Sequence, residues 1–83
     1  MLIRSPKELA LLIASQRKKL KLSQGEAGDL VGLKQKTISA LENHPEHTQL
    51  DTLFRILSAL NLDIKVSVKN EELLESKQWK EEW

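Results

Sequence analysis

Leu22-Ser23-Gln24-Gly25-Glu26-Ala27-Gly28-Asp29-Leu30-Val31-Gly32-Leu33-Lys34-Gln35-Lys36-Thr37-Ile38-Ser39-Ala40-Leu41-Glu42-Asn43 is the run that decides the fold. Ser23, followed three residues later by Glu26, forms a capping box: hydroxyl and carboxylate each take a backbone N–H that a helix start leaves unpaired. The helix it opens covers 23–31 and stops at Gly32, since glycine enters a left-handed turn without steric cost. Residues 34–43 then contain no breaker, place Ile38 and Leu41 on one face, and close at Asn43 with Pro45 beyond. Two short helices therefore meet across a glycine turn.

Outward from this pair the helical pattern continues. Ser5-Pro6-Lys7-Glu8 joins a capping serine to a proline at the first helical position, where its missing N–H costs nothing, and to a glutamate that can reach back to the cap. Leu9, Leu12, Ile13, Gln16 and Leu20 follow at helical spacing, and basic Arg17 to Lys21 suit the negative end of the dipole, so this helix ends near Lys19 or Leu20. Thr48-Gln49-Leu50-Asp51 reads as a further cap, and Leu50, Leu53, Phe54, Leu57 and Leu60 form a stripe that Asn61 can close. Residues 63–68 alternate with period 2, which predicts one strand carrying Ile64, Val66 and Val68. A lone strand leaves its N–H and C=O groups unpaired, so the same strand of a second copy is the expected partner. The expected fold class is mainly all-α, with four to five helices and one C-terminal β-strand pairing across a homodimer.

The 83 residues leave room for one small core, and 30% charged with 40% hydrophobic residues argues for a folded chain. No apolar run approaches the roughly 18 residues that span a bilayer. Cysteine is absent, which excludes disulfides and thiolate chemistry, and Met1-Leu2-Ile3-Arg4 lacks a secretory pattern, so a cytoplasmic protein is expected. The net charge of +1 conceals a contrast. Residues 1–68 carry 10 Lys/Arg against 7 Asp/Glu, whereas 69–83 carry 3 Lys against 5 Glu. The expected organisation is a binding and dimerisation domain over 1–68 and a flexible acidic tail over 69–83. With no phosphate-cradling glycine loop and no serine at visible spacing from a histidine base, an enzyme is not expected, and neither is a cofactor. His44 and His47 flank Pro45 with only Glu46 and Glu42 nearby, so a metal site is not expected there either.

Two short helices across a glycine turn match a helix-turn-helix, whose second helix presents its N-terminal side chains to the DNA major groove. Gln35 can pair its carboxamide with the N6/N7 edge of adenine. Lys36 can reach guanine, and Ser39, one turn on, can reach a base; these three are the expected base contacts. Gln24, Lys34 and Lys19 are the expected phosphate contacts.

Leu22-Ser23-Gln24 together with Val31 to Asn43 resembles the Cro/repressor-type (XRE) helix-turn-helix family over residues 6–62. The Ser-Pro start, the recognition segment Gly-Leu-Lys-Gln-x-Thr-Ile-Ser, the Asn-x-Pro-x-x-Thr-x-Leu connection over 43–50, the strand and a late tryptophan resemble the HipB-type antitoxins within it. That resemblance implies a homodimeric autorepressor that binds an inverted-repeat operator in double-stranded DNA and a HipA-type serine/threonine kinase toxin. It also implies an ion pair between Arg17 and Glu42, a Gln24 that steadies Gln35, and a Trp83 that docks on the toxin. A stand-alone repressor and an interaction module without DNA binding are the alternatives. The sequence departs from the family pattern at Ala27-Gly28, where Gly28 is expected to cost about 1 kcal/mol relative to alanine. It departs again at Lys21, where a glycine commonly closes the first helix.

Overall fold

The computed structural model describes residues 2–69, so the expected tail and Trp83 lie outside the described residues. Four α-helices, α1 (Pro6–Lys19), α2 (Gln24–Asp29), α3 (Gln35–Asn43) and α4 (Leu50–Ala59), enclose one core, and a 3-10 turn over Pro45–His47 links α3 to α4. The fold is all-helical. No strand forms among the described residues: 62–68 run on from α4 without helix or strand. A ladder needs a second strand, and one chain supplies none.

Local chemistry explains each boundary. The Ser5 hydroxyl accepts the Glu8 N–H at 3.2 Å, while the Glu8 carboxylate reaches past the cap to the Arg4 N–H. Ser23 and Glu26 make the reciprocal box, with Ser23 N donating to Glu26 Oε1 at 2.8 Å and Glu26 N to Ser23 Oγ at 3.0 Å. The Ser23 backbone N–H first, and the Ser23 side chain after it, hold the Glu26 carboxyl below the usual glutamate range. Helix α2 is shorter than the expected 23–31, because the chain turns through Leu30 and Val31 before Gly32 takes φ 70°. Thr48 is not the cap of α4: Gln49 holds that position with no side-chain bond to the helix. Asn61 closes α4 at φ 60°, with Leu62 N donating to Leu57 O at 2.9 Å.

Lys21 closes α1 in the same way, at φ 60°, with its N–H on Lys18 O and the Leu22 N–H on Arg17 O. A β-carbon is strained in this region, and lysine lacks asparagine's local compensation. Lys21→Gly is therefore expected to stabilise the domain by about 0.5–1 kcal/mol after the added flexibility of the unfolded chain is offset. Thermal unfolding should show it as a Tm rise of several degrees.

Ile13, Ala27, Ile38, Leu41, Ile56, Leu57 and Leu60 form the core, with Leu9, Leu22, Leu33, Leu53 and Leu62 packed around them. Gln16 Nε2 donates to Leu60 O at 3.1 Å and fastens α1 to the end of α4. The α4 stripe divides. Leu53 and Leu57 turn inward, whereas Leu50 (71% exposed) and Phe54 (56%) stand outside. The expected weak point at Gly28 proves to be a requirement. A β-carbon there would lie 2.3 Å from the Leu33 carbonyl oxygen, and the Gly28 carbonyl itself accepts both Val31 N–H and Leu33 N–H. Only glycine lets the turn fold back this tightly, which brings α3 against α2.

Candidate nucleic-acid interface

Helix α3 buries Ile38 and Leu41, and so presents its opposite face, beginning at Gln35 and Lys36, to solvent. Lys34 precedes its first turn as an N-cap without a side-chain bond, so the three residues 34–36 all stand exposed at the helix start. Ser39 follows Gln35 by one turn, and its hydroxyl accepts from Asn43 Nδ2 at 3.2 Å. Lys19, at the end of α1, is exposed.

Beneath this face runs a chain of polar contacts. Arg17 grips Glu42 with two bonds, Nε to Oε2 at 2.7 Å and Nη2 to Oε1 at 3.1 Å, and uses Nη1 on the Leu22 carbonyl at 2.9 Å. The two side chains are only 11% and 9% exposed. Glu42 Oε1 also accepts Gln24 Nε2 at 3.1 Å, and Gln24 Oε1 accepts Gln35 Nε2 at 2.8 Å. Burial pushes the Glu42 carboxyl up, but the bonds from Arg17 and Gln24, with the charges of Arg17 and Lys18, outweigh it and hold the group below the usual range. The Arg17 guanidinium is pushed up in turn, first by its bond to Glu42.

The relay has a direction. An ionised carboxylate can only accept, so Gln24 must turn its N–H toward Glu42, its carbonyl oxygen then faces Gln35, and Gln35 must donate. Gln35 keeps its own oxygen and its second N–H free, which are the two groups that an adenine edge takes. No buried side-chain polar atom among the described residues is left without a partner.

The structure thus brings Arg17 to Glu42 and Gln24 to Gln35, and sets Lys34, Lys36 and Ser39 around Gln35. Sequence reasoning missed the bond between Gln24 and Glu42 that joins the two pairs, and spacing alone carries no signal for it. Among the expected strand residues, Ile64 is 43% exposed, Val66 89% and Val68 37%. Among the described residues no three His, Asp or Glu side chains gather as a metal site.

A helix-turn-helix family pattern matches residues 13–66. Antitoxin HipB of Escherichia coli K12 is 37% identical over 82 residues, spanning 98% of this chain and 93% of the relative. Antitoxin HipB of Escherichia coli O6:H1 is equally similar, over 87% of its length. Among solved structures, the HipB chain of a HipB–O4 20mer complex superposes with a TM-score of 0.79 at 36% identity, covering 83% of this chain and 97% of that one. A chain of a HipA–HipB–O2–O3 complex matches with a TM-score of 0.80 at 36% identity, over the same shares of both chains.

Proposed function

The chain belongs to the helix-turn-helix family, in its HipB antitoxin branch, and from that premise we propose that it is the antitoxin and autorepressor of a toxin–antitoxin operon. It binds a palindromic operator as a homodimer and complexes a HipA-type kinase toxin, as the complex of its relative with HipA supports. It acts by binding and not by catalysis. The carrying observation is Gln35, held at the exposed start of α3 by a relay rooted in the half-buried Glu42, with its base-pairing groups free.

In this reading Gln35, Lys36 and Ser39 read bases, while Gln24, Lys34 and Lys19 hold phosphates. Residues 1–68 are the binding and dimerisation domain, and 69–83 are an acidic tail whose Trp83 reaches the toxin. No helix among the described residues is long and apolar enough to cross a membrane. We place the protein in the cytoplasm, on the nucleoid when bound to its operator.

Gln35→Ala is expected to lose about 1–3 kcal/mol on an operator duplex while barely changing affinity for random DNA. Gln24→Ala is expected to weaken both, and the operator more, because it also releases Gln35. Titrating each variant against both duplexes checks the assignment, and equal losses for Gln35→Ala would remove it from the base readers.

One chain leaves Leu50 and Phe54 of α4 exposed, and its segment 62–68 exposes Ile64 and Val66 along unpaired backbone groups. Pairing strand 63–68 across a two-fold axis covers both. Light scattering at micromolar concentration is expected to give twice the 9.5 kDa of one chain. Two-fold symmetry then sets half-sites about 34 Å apart or a multiple of that. A persistent monomer would remove the paired strands.

A further inference from the structure

Gln35, Ser39 and Asn43 follow one another at intervals of four along α3, so they stand in one row, each about 6 Å beyond the last. Gln35 and Asn43 are exposed and Ser39 is half-buried. Glu42, beside Asn43 in sequence, is turned away from this row onto Arg17. The backbone closes the helix without the Asn43 side chain, since the His44 N–H donates to the Ala40 carbonyl at 2.7 Å. The Asn43 amide instead reaches back along the row, and its Nδ2 donates to Ser39 Oγ at 3.2 Å. Asn43 sits at the negative end of the helix, which favours this orientation, with the N–H toward the last turn and the oxygen outward.

A serine hydroxyl on a recognition helix ordinarily suits any base, because it donates to acceptors and accepts from donors. We propose, on the DNA-binding reading above, that Asn43 removes this freedom: by donating to the Ser39 oxygen it commits the hydroxyl to donate in turn, so the base facing Ser39 must offer an acceptor and cytosine is rejected. Accepting one hydrogen bond polarises a hydroxyl and strengthens the bond it gives. In the major groove guanine and adenine offer N7, guanine adds O6 and thymine offers O4, whereas cytosine offers only its N4 donor. A donor set against that amino group leaves both without a partner. Asn43 needs no contact with DNA for this; it is a positioning residue for Ser39, as Gln24 is for Gln35. The two supports differ in what they leave free. Gln35 keeps an oxygen and an N–H to offer, whereas Ser39 is left to offer its hydrogen.

The test is a fluorescence-anisotropy titration of the full chain against the duplex upstream of its own reading frame, a scrambled duplex of equal length, and a set in which each half-site position carries each base pair in turn, changed symmetrically in both halves. The position facing Ser39 is the one whose discrimination Ser39→Ala abolishes. There the wild type is expected to bind the cytosine duplex about tenfold more weakly than the guanine or thymine duplex. Asn43→Ala, shown folded by its thermal melt, is expected to bring that ratio below about twofold and leave the ratios at other positions unchanged, while the Ser39→Ala/Asn43→Ala double variant loses nothing more. Asn43→Asp supplies a carboxylate that only accepts, so it takes the Ser39 hydrogen and should turn the preference toward cytosine. Its charge weakens binding to every duplex alike and leaves the ratio readable. An Asn43→Ala variant that keeps the cytosine penalty, or that loses affinity equally on all sequences as a phosphate contact would, overturns the assignment. A wild type that binds the upstream duplex no better than the scrambled one overturns the sequence-specific reading itself, a distinct result.

Discussion

Glu42→Ala is expected to destabilise the domain by about 3–5 kcal/mol, the cost of leaving a largely buried guanidinium without its carboxylate. Arg17 and Glu42 are about 10% exposed, so water can compensate either partner only in part. The loss also unfastens Gln24 and removes an anchor among α1, α2 and α3. Arg17→Ala should cost a similar amount, and the double variant far less than the sum, because the second substitution removes a charge already stranded. Chemical denaturation of the three proteins measures this coupling. The pH dependence has a definite sign. Glu42 titrates below its unfolded value, so its stabilisation is fully present above the ordinary carboxylate range and is lost as pH falls through the depressed pKa. Glu42→Gln should therefore flatten the acid limb of the stability profile. An unchanged acid limb would mean that the pair adds nothing to folding.

Gly28→Ala is expected to cost about 2–3 kcal/mol, although alanine favours helices by about 1 kcal/mol over glycine. The added carbon would sit 2.3 Å from the Leu33 carbonyl oxygen, a backbone atom that can retreat only by opening the turn. Gly25 provides the control. A β-carbon there meets nothing closer than 3.9 Å, so Gly25→Ala should be neutral or stabilising by about 0.5 kcal/mol. Denaturation midpoints of both variants separate a steric requirement from a general preference for glycine. A neutral Gly28→Ala would show that the turn yields.

These two sites mark where sequence reading reaches and where it stops. Ser5, Ser23 and Asn61 announce helix ends because a cap acts within three or four residues, and the α4 stripe announces a helix because periodicity is local too. Gly28 looked like a flaw for the same reason. Propensity weighs a residue against its own helix, whereas the atom that forbids a side chain there belongs to Leu33, beyond the turn. The division of the α4 stripe escaped as well, since a moment along one helix does not say which half meets the core and which half faces out. For the interface, residue types and helix position pointed to Gln35. The bond from Gln24 to Glu42 spans 18 residues and is fixed by how three helices pack, which no local pattern encodes.

The one-way relay from Glu42 to Gln35 has a consequence for what recognition costs. A free surface glutamine samples many rotamers, and freezing such a side chain at an interface costs about 0.5–1.5 kcal/mol. Here the side chain is already tethered before any duplex arrives, and the price is charged to folding, where the buried pair already holds the helices together. A dimer presents two such tethered readers, so the saving is doubled on each encounter. Loosening the tether should then slow productive docking and hasten release even where every base contact remains chemically possible.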